Sequence, residues 1–254
     1  MPRKNSLVIS KTNINGFKVG LEMEGIQVPV ILQDNNFSSC ITALSLVRDN
    51  SHLSIESSSF NSSNIAILTR YLSGQFHLSS STIEMCNTAL ALNHGYSSDE
   101  TASVLVERCV LRKNKKAFTL AGRTYGNLKR MEITFSHSVF EEDANVGDID
   151  LWRRYTTGVF FYFQNNTVTK CQNGISFQSN NQDNLVVVQN NTFVDGGNGT
   201  VLNADGQTEF SGNTISNWTF PDGSLVTIKY LKNQCELRVH NNTITKNMNS
   251  RKII

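Results

Sequence analysis

Residues 161–177 read FYFQNNTVTKCQNGISF. Two apolar residues one apart, Phe161 and Phe163, precede a small polar residue, Asn166, and an apolar anchor, Val168; after a turn come Gly174, Ile175 and Phe177. The same order returns along the chain with anchors at Ile14, Phe37, Phe60, Ile83, Leu111, Phe140, Val168, Phe193, Ile215 and Ile244. The steps between them are 23, 23, 23, 28, 29, 28, 25, 22 and 29 residues. A repeat in the twenties is the signature of a solenoid, in which each unit buries its apolar face only against its neighbours.

Working outward from each anchor, the positions seven and five residues before it form pairs running from Leu7 and Ile9, through Phe161 and Phe163, to Leu237 and Val239. Of these 20 positions only Thr208 is polar, so each pair marks a strand with one face in a core. Seven and nine residues after the anchor a second alternating pair appears, as in Leu44 and Leu46, Phe118 and Leu120, Ile175 and Phe177, and Thr200 and Leu202. A small residue precedes it, such as Ala43, Ala117, Gly174 or Gly199, where the backbone must bend. Two residues before the anchor stand Thr12, Asn35, Ser58, Ser81, Cys109, Ser138, Asn166, Asn191, Asn213 and Asn242. At the ~4.8 Å spacing of adjacent strands these side chains can hydrogen-bond along the stack and to corner backbone that no strand ladder satisfies. The expected architecture is all-β: a right-handed parallel β-helix of about ten coils, about 45 Å long, forming a single domain over residues 1–254.

Bulk properties agree with many short strands joined by polar turns. The chain is 39% hydrophobic and 17% charged, with 3 prolines. A net charge of +2 supplies no field of the kind nucleic acids require, so no nucleic-acid partner is expected. No window approaches the roughly 18 consecutive apolar residues of a membrane span, and the start lacks a secretory apolar segment. The sequence opens on a repeat and stops within the tenth, so we expect a piece of a longer protein, with any membrane attachment carried by other parts of that parent.

Longer turns are expected at Glu141–Gly147 in coil six, ahead of a strand 148–152, around Pro221, Asp222 and Gly223 in coil nine, and at Gly95–Thr101 in coil four. Insertions of this type often build the binding face of a solenoid. The coil-six and coil-nine insertions are therefore the expected contact surface for a protein or carbohydrate ligand.

The units Asn165-Asn166-Thr167-Val168 with Gly174-Ile175, Asn190-Asn191-Thr192-Phe193, Gly212-Asn213-Thr214-Ile215 and Asn241-Asn242-Thr243-Ile244 resemble the repeats of right-handed parallel β-helix proteins of the pectin-lyase-like fold. In general texture the chain is most similar to the β-helix segments of the protein bark beetle family. That resemblance implies a membrane-anchored ectodomain of epithelial junctions. The fold itself hosts lyases, hydrolases, tailspikes and adhesive ectodomains alike.

A hydrolase of this fold needs two or three carboxylates around one glycosidic bond, and the family pattern of paired Asp, His-Gly and Arg-Ile-Lys is represented only by His94-Gly95 with Ser97. We read that histidine as a loop residue. In coil six Asp148 and Asp150 alternate with Ile149 and Leu151, which points both carboxylates outward beside Trp152, Arg153 and Arg154. This set could grip a sugar or a protein; a solvated strand end with local charge pairing is the plainer reading. The matching outward residues are Thr119 and Ser176, which supply no third carboxylate. Calcium, or any other metal or cofactor, is therefore not expected.

The basic run Arg112, Lys113, Lys115 and Lys116 occupies the turn that in coil six carries Glu141, Glu142 and Asp143, so the two are expected to pair across coils. Cys40, Cys86 and Cys171 fall two or more coils apart, beyond disulfide reach, and Cys109 and Cys235 occupy other rows, so unpaired and mostly buried thiols are expected. Seven sequons occur, close to the number chance would give. Asn165, Asn190 and Asn241 adjoin the inward row and should face solvent, as candidate glycosylation sites.

Two functions are carried forward. One is a non-catalytic extracellular or cell-surface rod for adhesion or ligand binding, with no catalytic residues. The other is a carbohydrate-active enzyme using Asp148, Asp150 and Arg153. Free cysteines and the missing secretory segment leave a cytoplasmic recognition module as a third reading.

Overall fold

A computed structural model describes residues 5–47, 52–70, 74–94, 101–122, 130–151, 158–179, 184–197, 199–219, 224–229 and 236–245. Every strand pairs in parallel with its counterpart one coil away, and three sheets run the length of the molecule. Sheet A has ten strands, from Leu7–Ser10 to Leu237–His240; sheet B has ten, from Asn13–Asn15 to Thr243–Thr245; sheet C has nine, from Val19–Glu24 to Val226–Lys229. The chain is thus a parallel β-solenoid. Coils complete on all three sides number nine among the described residues, slightly fewer than the ten anchors. There is no helix among them, and none long and apolar enough to cross a membrane.

The register follows the apolar pairs. Phe161 lies opposite Ile133 and Val186, and Phe163 opposite Phe135 and Val188. The anchors from Phe37 to Ile215 are buried in one column, with Phe37 and Phe60 stacked at 4.9 Å. Thr208, the polar exception, is buried with its hydroxyl donating to the carbonyl of Gly206.

Two corners make the coil close. All 17 non-glycine residues with positive φ among the described residues lie in them, one row just before the inward polar residue (Arg108, His137, Asn165, Asn190) and one two residues after the anchor (Met85, Lys113, Glu142, Lys170). A left-handed residue reverses the chain within one step, at a cost of ~1–2 kcal/mol for most side chains. The rows hold mainly Asn, Asp, Ser and long polar residues, and no β-branched ones.

The inward row is a continuous ladder over most of its length. The backbone N–H of Thr12 donates to Asn35 Oδ1, that of Asn35 to Ser58 Oγ, and that of Ser58 to Ser81 Oγ. Beyond Cys109 the pattern resumes through Ser138, Asn166, Asn191, Asn213 and Asn242, at 2.8–3.1 Å. In the asparagine section each Nδ2 also donates to a carbonyl one coil back, as Asn191 does to Phe163 at 2.7 Å.

Two expectations need correction. Glu141–Gly147 is no insertion: Glu141 closes the strand Val139–Glu141, Glu142 takes the left-handed turn, and Asn145–Leu151 is the sheet-C strand in ordinary register. The extra length of coils four to six falls after that strand, at 95–100, 123–129 and 152–157, outside the described residues. The small inward residue that disguised the register is Gly147, where an apolar side chain stands in neighbouring coils. In coil eight the inward pair is Leu202 and Ala204, opposite Ile175 and Phe177, two residues later than Thr200 and Leu202. Gly197 still sits in ordinary register, donating its N–H to the carbonyl of Cys171, so the two extra residues fall between it and Leu202; just before, a Cβ on Gly196 would lie 2.2 Å from the Trp218 ring.

Candidate functional site on sheet C

The outer face of sheet C carries a groove of about 340 Å³ across coils six to eight. Its polar lining is Asn145 and Asp148 from coil six, Asn173 and Ser176 from coil seven, and Thr200 and Asn203 from coil eight. Parallel register sets the geometry. Asn145 pairs with Asn173, and the series Thr119, Asp148, Ser176, Asn203 runs as one outward row along the rod. Asn173 donates to Asn145 Oδ1 at 2.8 Å and to the carbonyl of Ala144, so one wall is a braced pair of amides.

Asp148 is half-exposed, and Lys116 of coil five reaches its Oδ2 at 2.9 Å. Asp150 stands two residues on along the same face, between Ala121 and Gln178. Asn203 adds the site's unusual atom: its Oδ1 is buried at the groove and receives no hydrogen bond. A buried acceptor without a donor is costly, and a ligand hydroxyl or amide would satisfy it. The groove offers amides, hydroxyls and one lysine-braced carboxylate, a lining able to form hydrogen bonds with polar groups.

The expected cluster is therefore only partly assembled. Asp148 and Asp150 share the outward face, with Thr119 and Ser176 flanking Asp148 as the spacing predicts. Trp152, Arg153 and Arg154 lie outside the described residues, as do Gly95, Ser97 and the coil-nine segment Pro221–Gly223. No group of three or more His, Cys, Asp or Glu side chains is placed to hold a metal ion among the described residues. Asn145, Asn173 and Asn203 were not singled out from sequence. The first two sit five residues after their anchors, a spacing that identifies them once the register of coil six is known; Asn203 was hidden by the two-residue shift.

The basic run is divided among partners. Lys113 reaches Glu142 at 4.0 Å as expected, whereas Arg112 pairs backward with Glu84 at 2.6 Å, and Lys116 serves Asp148. Asp143 is not on the surface at all. It lies three residues after its anchor, in an inward row with Cys40, Ser63, Cys86, Asn114 and Cys171, all of them buried. Cys40, Cys86, Cys109 and Cys171 are free thiols; Cys235 lies outside the described residues. Burial pushes the Cys109 thiol up to about 11 and Cys171 up to about 12. Asn165, Asn190 and Asn241 are exposed, with φ of 55–56°.

No protein-family profile matches the chain, and no curated protein sequence matches it.

Proposed function

We propose that this chain is a non-catalytic rod that presents a ligand-binding face on sheet C, as part of an extracellular or cell-surface protein of the bark beetle, pectin-lyase-like type. The observation that carries the reading is the composition of the groove: six polar side chains from three coils, of which only Asp148 is charged and that charge is already paired with Lys116. Such a wall recognises hydrogen-bonding groups but supplies no unpaired acid and base to move a proton. The ligand is a protein or carbohydrate seated across coils six to eight and extending toward coil nine.

The test has two arms. The chain is expressed in secreting cells and mapped by mass spectrometry for glycans at Asn165, Asn190 and Asn241; occupied sites support the extracellular rod. A cytosolic, unglycosylated product with reduced cysteines sinks it in favour of an intracellular recognition module.

The carbohydrate-active enzyme is kept as a second reading because Asp148 and Asp150 are two residues apart on one strand face, about 7 Å by strand geometry, within the separation that inverting glycosidases use. Incubation with a panel of polysaccharides settles it. New reducing ends or unsaturated products that disappear in Asp150→Asn would make the chain an enzyme; binding without turnover supports the rod.

A further inference from the structure

Asp143 is fully buried, inside the wall opposite solvent. Its Oδ1 accepts two hydrogen bonds from Asn114 of coil five, from the backbone N–H at 2.7 Å and from Nδ2 at 3.0 Å. Its Oδ2 is equally buried and receives none. The coils on either side show what that atom's position demands. In coil five Asn114 Nδ2 donates to the carbonyl of Ile83, the anchor one coil back, and in coil seven Cys171 Sγ donates to the carbonyl of Phe140, again the anchor one coil back. The row is thus one of donors, and the counterpart carbonyl for Asp143 is that of Leu111. A carboxylate in this position would set a negative charge among carbonyl oxygens, whereas a protonated acid has the shape and donor of the asparagine that precedes it.

No cation among the described residues compensates. The titratable groups facing Asp143 are Glu141 on its own coil, which adds negative charge, and the Cys171 thiol from coil seven; coil five presents neutral Asn114. Burial first, and Glu141 last, push the carboxyl up to about 8, against the hydrogen bonds from Asn114 that pull it down.

We propose that Asp143 is a proton-operated joint in the middle of the rod: as the neutral acid it completes the second corner ladder, and losing its proton destabilises the stacking of coils five, six and seven. The sign follows from linkage. The folded chain holds this proton to higher pH than the unfolded chain, where an Asp ionises near about 4. Stability is therefore greatest below that pH, declines as pH rises through the interval up to about 8, and is level above it.

The test compares urea unfolding of the full chain and of Asp143→Asn from pH 5 to 9. The wild-type unfolding constant should rise relative to the variant's by up to about tenfold per pH unit below the folded-state midpoint. A ratio that stays constant over the range overturns the proposal. Should Asp143→Asn not fold, the carbon-13 resonance of the Asp143 carboxyl in the wild-type chain decides: titration near or above neutrality is the expected result, and a carboxyl already ionised at pH 5 is the result that refutes it.

Discussion

The ring of Phe118 occupies the space that a side chain on Gly147 would need: a Cβ there would lie 2.0 Å from Cζ of the ring. Phe118 cannot retreat, since Phe135 stacks on it at 4.3 Å and Phe161 and Phe140 close the other sides. Gly147→Ala should destabilise the chain by about 1–3 kcal/mol through overpacking. Adding Phe118→Leu should restore part of that loss. Urea unfolding of the two variants measures both, and additive losses in the double variant would contradict the assignment.

The asparagine section of the ladder should be the more sensitive half. Asn191 accepts from both the backbone and the amide of Asn166 and donates to Phe163 and Asn213. Ser81 accepts from Ser58 and donates to the carbonyl of Ser79 two residues back. Asn191→Ala strands the buried N–H of Asn166 and the carbonyl of Phe163, both in coil seven, and should cost about 2–4 kcal/mol; Ser81→Ala leaves fewer groups bare and should cost about 1–2. Equal losses in thermal or urea unfolding would show that the amide's second set of bonds contributes nothing.

Met85 is half-exposed at φ 56°, in the corner row where Asn217 stands at φ 52°. Met85→Asn should stabilise by about 0.5–1 kcal/mol, while Met85→Val should destabilise by a similar amount or more, because a β-branched residue strains most in the left-handed region. The order Asn, Met, Val in unfolding midpoint is the expected outcome.

The four described thiols should be silent while the rod is folded. Cys109 and Cys171 are held as thiols by burial, and Cys40 and Cys86 are likewise buried. A colourless-to-yellow disulfide reagent at pH 8 should label none of the four in native buffer and all four in urea, as located by peptide mapping. Fast native labelling of Cys171 would mean that the corner at coil seven opens.

Asp148→Asn and Asp150→Asn test the groove without testing the fold. The Lys116 pair is half-exposed, so its loss should change stability by no more than about 1 kcal/mol. A ligand held on sheet C should nevertheless bind more weakly to Asp148→Asn. Unchanged affinity in both variants would move the binding face elsewhere.

How much was legible in advance depended on which side of the wall a residue faced. Inward residues repeat because each must stack on its counterpart, so Phe161, Val168 and Asn166 announced the sheets and the first ladder. The second inward row, with Asn114 and Asp143, repeats as strictly, three residues after the anchor, but mixes Cys, Ser, Asn and Asp, and its acid stood beside Glu141 and Glu142 as if part of a surface charge run. Register was hardest to see where packing replaced pattern: Gly147 is small because Phe118 fills its place, and Trp218 against Gly196 accompanies the two-residue shift of coil eight.

From its own periodicity the chain determined a parallel solenoid, its three strand positions per coil and its polar corners, because period-two alternation and a repeat in the twenties leave no other way to bury the apolar faces. Only the tertiary structure decided which outward residues share a groove and which charges meet. Those depend on the alignment of residues 20 to 30 positions apart, where one extra residue in a turn moves a side chain to the opposite face of the sheet.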